Sequence, residues 1–356
     1  MTDIRRAIVF GNHDGVVLLA DAYIPSAPGS FPALVAVHGG GWQQGSRDIY
    51  RFWGPFLAER GYVLLAIDYR VAAPGRKCFP DAVHDVRAAV QFLRSQAAAF
   101  KVDPARIALI GDSAGAHLAS LVALAGDSPI FSGVYRNDTY AGESTKVKAA
   151  IGVYGIYDMV RQWNSDQVSR PRNQITEQFL GGAPMDDRRV FFDASPMSYV
   201  TMANNKTAFL LAYGTEDDIV DRGQSDDFLL ALKQAKFYAR NAVFPGWGHY
   251  WMATDPKDPA TGSFLLAPRL LRFLNDMLLP KQYTKLHVPP RARGKPLSPA
   301  PAAIIAGAAA WSTRMSRMGG SCISPPINGD GTRTIRRFRP APAALGRSSG
   351  SIILIA

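Results

Sequence analysis

Cysteine is scarce in this 356-residue chain, with Cys78 and Cys322 the only two. Two thiols so far apart suggest neither a disulfide framework nor a metal cluster, and they fit a reducing compartment. No apolar run reaches the ~18 residues of a membrane span. The opening Met1-Thr2-Asp3-Ile4-Arg5-Arg6 also lacks an apolar core of signal-peptide length. The chain therefore reads as soluble and cytoplasmic, with no membrane span. Net charge is missing from most of it as well. The formal +11 resides in residues 281–356, where 12 Lys/Arg face the single acid Asp330, while residues 1–280 hold 28 bases and 28 acids. A neutral body gives no reason to expect a nucleic-acid partner for it. No internal repeat is visible, and no metal or organic cofactor is implied.

What is present is a chain 47% hydrophobic, enough for one large core. Residues 5–10 and 16–24 are β-rich runs separated by the turn-forming Gly11-Asn12-His13-Asp14-Gly15, which predicts a hairpin. Strands are then expected at 33–37, 61–68, 106–110, 148–154, 207–213 and 241–244. Helices are expected at 48–60, 81–98, after residue 113, at 222–236 and at 262–279. Strands alternating with helices imply an α/β class with a mostly parallel central sheet covered on both faces, after an opening antiparallel hairpin. Two polar, Pro/Gly-punctuated stretches, 126–146 and 157–206, interrupt the rhythm and are expected to be cap or lid excursions over the site. The organisation expected is thus one domain over residues 1–280. Beyond it lies a basic Pro/Ala/Arg-rich tail over 281–356, whose composition predicts disorder.

The chemistry gathers at Ile107-Ala108-Leu109-Ile110-Gly111-Asp112-Ser113-Ala114-Gly115-Ala116. A buried strand, a sharp Gly-x-Ser-x-Gly turn and an Ala/Leu-rich helix would lift the Ser113 hydroxyl clear at the strand's C-terminal end. The first helical amides, starting with Ala114, would point at whatever the serine attacks. A serine hydroxyl needs a base, and the base an orienting acid. Of six histidines, His249 lies in a Gly-rich loop after the last strand, on the edge where it can reach Ser113. The acid is expected in Gly214-Thr215-Glu216-Asp217-Asp218-Ile219-Val220. The Gly-x-x-Asp-x-x-Val spacing selects Asp217, with adjacent Asp218 as the alternative. The triple glycine of His38-Gly39-Gly40-Gly41-Trp42, also after a strand, offers bare amides to an anion.

With these motifs, together with Asp68-Tyr69-Arg70, Phe79-Pro80-Asp81-Ala82 and Ser195-Pro196, the chain resembles α/β-hydrolase serine esterases over about residues 15–280. It is most similar to the group spanning hormone-sensitive-lipase-like carboxylesterases, feruloyl and acetyl esterases, and kynurenine formamidases. The resemblance implies Ser113 as nucleophile, His249 as base and Asp217 as its partner. It implies an oxyanion hole from the amides of Gly40, Gly41 and Ala114, with His38 holding the loop. The substrate expected is a small-molecule carboxylic ester of short-to-medium acyl or aromatic type. Trp42, Trp247 and Tyr250, with Trp251, flank the site loops and are candidates for lining a substrate pocket or for the core. Formamidases of the group tend to have an aromatic at Gly41 and a histidine at Asp112, so this chain favours ester over the alternative amide or formamide substrates. A ligand-binding relative without catalysis is the remaining, less favoured reading.

Overall fold

A computed structural model of the protein describes residues 2–279, and every structural statement below concerns those residues. The basic tail and its expected disorder lie outside them. Strand β1 (Thr2–His13) and β2 (Val16–Pro25) form the opening hairpin. Its strands run further than the sequence suggests, leaving only Asp14-Gly15 as the turn. Both turn residues have positive φ, 53° and 83°, as a two-residue type I′ connection requires. The remaining strands are β3 (Phe31–Val37), β4 (Val63–Ile67), β5 (Val102–Asp112), β6 (Ala149–Val153), β7 (Ala208–Gly214) and β8 (Ala239–Phe244). They build one eight-stranded sheet in the order β1-β2-β4-β3-β5-β6-β7-β8. The β1–β2 and β2–β4 pairings are antiparallel and every other pairing is parallel.

Strands β3, β4, β6 and β7 are apolar on both faces because both faces are covered, whereas the edge strand β8 exposes Arg240 and Asn241. Ala33, Val35 and Val37 of β3 point to one side with Val63, Leu65, Ile107 and Leu109, under helices α2 (Asp81–Ser95) and α3 (Ala114–Ala125). Leu34 and Ala36 point to the other side with Leu64, Ala66, Ala108 and Ile110. That side is closed by α1 (Trp53–Ala58) and α9 (Gly262–Leu278). Helix α8 (Gly223–Gln234) seals the far end of the first face through Phe228 and Leu232 on Phe209 and Leu211. This is the α/β-hydrolase fold that the motifs imply. The predicted helix at 48–60 is split into a 3-10 turn, Arg47–Arg51, and α1. No helix is long and apolar enough to cross a membrane.

The two excursions differ from each other. Residues 157–206 are not irregular: they carry α5 (Met159–Ser169), α6 (Ile175–Leu180) and α7 (Arg188–Ala194). Residues 126–146, with α4 (Pro129–Ser132), run along α2 and the hairpin tip. There Gln91 donates to the carbonyls of Ala141 and Glu143, and Tyr135 stacks on His13. That segment therefore covers the α2 side of the sheet edge and makes no hydrogen bond to the Ser113 or His249 loops.

Candidate active site

The C-terminal ends of β3, β5, β6, β7 and β8 share one edge, so the loops that follow them converge. Ser113 sits between β5 and α3 at φ 51°, ψ −119°. A non-glycine residue reaches this conformation only when its surroundings enforce it. Packing at the flanking glycines does so: a Cβ on Gly111 would collide with the backbone of Gly115, and one on Gly115 with the Val37 carbonyl. The Ser113 amide donates to the Val153 carbonyl at the end of β6, 2.9 Å away. Ala114 occupies the first position of α3, where an amide has no intrahelical acceptor.

Asp217 and His249 come together. Asp217 Oδ1 accepts from the amides of Ile219 and Val220 at 3.0 and 2.9 Å, which fixes the carboxylate within its own turn. Its Oδ2 accepts from His249 Nδ1 at 2.7 Å, and both side chains are 1% exposed. Asp218 is exposed and takes no part. With Nδ1 donating, the neutral imidazole carries its lone pair on Nε2. Nε2 is buried and bonds to no described residue, Ser113 included. The two are joined through β6: Val153 holds the Ser113 amide, and the ring of the next residue, Tyr154, lies 4.1 Å from that of His249.

The glycine loop after β3 completes the edge. Gly40 has φ 116° and a Cβ there would strike the Gln44 carbonyl, so only glycine fits. His38 donates from Nδ1 to the Gly39 carbonyl at 2.7 Å and stacks on Tyr69, consistent with holding the loop. Below it lies Asp112, whose Oδ1 accepts from the Gly39 amide and the Tyr50 hydroxyl, each at 3.1 Å. Burial pushes the Asp112 carboxyl up to about 6, against the opposing pull of the Tyr50 hydroxyl, nearby His249 and the Gly39 amide.

The aromatic candidates separate. Trp42 is fully buried, stacked at 4.5 Å on Phe179, and its Nε1 donates to His117 Nδ1. Its ring is therefore core, not a substrate wall. His117 donates from Nε2 to the Ala194 carbonyl, and burial depresses its pKa to about 4, so it is a neutral structural bridge to α7. Trp247 is half-buried against the α9 side of the core. Tyr250 is 70% exposed with its ring edge-on to His249, the one of the three open to a ligand beside the base. Trp251 is buried. Tyr50 and Tyr154 are not marked by the sequence as site residues. The only hint is that Tyr154 ends a strand on the functional edge.

The segment 170–175 between α5 and α6 bridges two of these loops. Arg170 donates to the Ile219 carbonyl at 2.7 Å, and Ile175 lies at van der Waals distance from where a Gly41 Cβ would stand. Residues 157–206 thus reach both the acid loop and the glycine loop.

A family model described as BD-FAE matches residues 20–232. Esterase LipC of Mycobacterium tuberculosis (strain ATCC 25618 / H37Rv) is 34% identical over 259 residues, covering 69% of this chain and 59% of that protein. A probable isoprenylcysteine alpha-carbonyl methylesterase of Arabidopsis thaliana, ICMEL2, is 29% identical over 70% of this chain and 57% of that protein. The chain thus spans little more than half the length of these curated relatives. Among solved structures, the thermophilic esterase Est2 of the Planctomycetes species Thermogutta terrifontis is similar with a TM-score of 0.60 at 26% identity. That likeness covers 79% of this chain and 94% of that one. A butyrate-bound form of Est2 gives 0.61 at 25% identity, over 81% of this chain and 96% of that one.

Proposed function

This chain belongs to the BD-FAE family of α/β-hydrolases, and on that premise we propose that it hydrolyses carboxylic esters through an acyl-enzyme on Ser113. The observation that carries the reading is the Asp217–His249 hydrogen bond, which leaves Nε2 as the free, buried base on the same sheet edge as a strained serine. Nε2 takes the Ser113 proton as Oγ attacks the ester carbonyl. Asp217 keeps the ring in the right tautomer and stabilises the imidazolium that forms. The tetrahedral oxyanion is held by the amides of Gly40, Gly41 and Ala114, backbone donors of the kind that stabilise charge as it develops. His249 then returns its proton to the leaving alcohol. Water attacks the acyl-enzyme by the same route, releasing the acid and restoring Ser113.

Esterases and a methylesterase among the relatives, and butyrate bound to the Thermogutta enzyme, support a small-molecule ester with a short acyl group. The test is hydrolysis of p-nitrophenyl acetate, butyrate, octanoate and laurate by the wild type, Ser113→Ala and His249→Ala. Wild type is expected to favour the short esters, and each variant to lose at least about 10³-fold in kcat. Comparable rates in wild type and Ser113→Ala would remove the serine from the mechanism.

A further inference from the structure

We propose that Tyr154 is a positioning residue that holds His249 in its working orientation, a role that rests on the esterase reading above. A single hydrogen bond to Asp217 fixes one end of the imidazole but leaves the ring free to turn about that contact. Something must hold its face. Tyr154 supplies the face: its ring centroid lies 4.1 Å from that of His249 at 47°, and the tyrosine is 2% exposed.

Three further contacts make Tyr154 a fixed wall. Its amide donates to the Ala212 carbonyl of β7 at 2.6 Å, tying it to the strand that leads to Asp217. Its hydroxyl accepts from the Met252 amide at 3.0 Å, and the Met252 carbonyl accepts from Trp53 Nε1 at 2.9 Å, so the turn following His249 is pinned from two sides. Trp251 packs edge-on at 5.0 Å. The backbone is strained to accommodate this, with φ 39° at a bulky aromatic residue. Such a conformation persists only where the surroundings over-determine it. The preceding residue, Val153, accepts the Ser113 amide. Adjacent residues at the end of β6 therefore hold nucleophile and base, which couples their separation to one strand rather than to two separate loops. The Tyr154 ring, with its centroid 4.1 Å from that of His249, is also within range of an attraction to the imidazolium as it develops.

The experiment compares full-length wild type, Tyr154→Phe and Tyr154→Leu. It measures kcat and KM on p-nitrophenyl butyrate, and the downfield proton NMR resonance of His249 Nδ1–H in substrate-free protein. In Tyr154→Leu, kcat is expected to fall about 10²-fold, the cost of a misplacement near 1 Å, while KM stays within about threefold. The Nδ1 proton is expected to broaden as the ring loosens. Tyr154→Phe keeps the ring and loses only the Met252 contact, so it is expected to fall between the two. A folded Tyr154→Leu with kcat within twofold of wild type and a sharp Nδ1 resonance overturns the proposal. If that variant does not fold, Tyr154→Met, whose unbranched, flexible side chain can refill the space of the ring, is held to the same criteria. Should the wild type prove inactive on esters, the esterase reading fails, and the Nδ1 resonance in the same variants still decides whether Tyr154 orients His249.

Discussion

Asp112 carries a charge where burial disfavours one. Its folded pKa of about 6 lies above the unfolded carboxylate value, so its contribution to stability is complete below about pH 4 and is lost as pH rises through 6. At neutral pH the ionised group then costs the fold roughly 3 kcal/mol. What offsets this locally is the pair of donors it anchors, the Gly39 amide and the Tyr50 hydroxyl, which fix the glycine loop against the serine turn. Asp112→Asn keeps an acceptor for both and removes the titration. Its Tm relative to wild type is therefore expected to rise by several degrees between pH 4.5 and pH 7.5, a difference read directly by calorimetry. Parallel Tm profiles for the two proteins would mean that Asp112 is not the group paying this penalty. At this scale the sequence marks Ser113 and the glycines clearly, because a tight turn tolerates no other residue. It favours Asp217 by spacing but leaves Asp218 as an alternative, since the turn that binds the amides of Ile219 and Val220 decides which carboxylate faces His249.

Elements read from the sequence with unequal clarity, and the reason is what each one buries. Strands β3, β4, β6 and β7 and the second half of β5 bury nearly unbroken apolar runs, so they are legible to within a few residues. Helix α5 buries Met159, Gln162 and Asp166, a helical spacing filled mostly by polar side chains, and hydrophobic periodicity cannot reveal it. Asp166 is there to cap the next helix, accepting from the Thr176 amide and hydroxyl. The arm over 126–146 is held differently, by charge. His13, at the end of β1, contacts Asp85 of α2 through Nδ1 and Asp138 of the arm through Nε2, at 2.6 and 2.7 Å, beneath the stacked ring of Tyr135. Arg70 pairs with Asp85 and Asp14, and neighbouring His84 is kept uncharged by burial. Burial opposes the charge on His13, but the two carboxylates outweigh it and raise its pKa. The stabilisation is complete below about pH 6.5 and lost as pH climbs through the raised value. Hydrogen exchange at residues 133–142 is therefore expected to quicken beyond its intrinsic pH dependence as His13 deprotonates, and to lose that extra pH dependence in His13→Gln. Equal pH dependence in both proteins would show that the arm is held by packing alone.

Across the whole chain, charge and core are segregated. Buried residues from Phe10 to Leu278 make up the apolar clusters on both faces of the sheet, and residues 1–280 balance their charges, while the entire +11 lies beyond them. A neutral ester gains nothing from a basic segment, because steering acts on charged ligands and is weakened by salt. A chain ended after residue 280 is thus expected to fold and to keep kcat/KM on p-nitrophenyl butyrate within about twofold of the full chain. The two proteins should part company on polyanions. Only the full chain should bind heparin or duplex DNA at low ionic strength, with an affinity that falls steeply as salt is added, through release of counterions condensed on the polyanion. If the shortened chain loses ester hydrolysis while remaining folded, residues 281–356 contribute to the site. If it binds polyanions as well as the full chain does, the local charge of the body matters more than its neutral total.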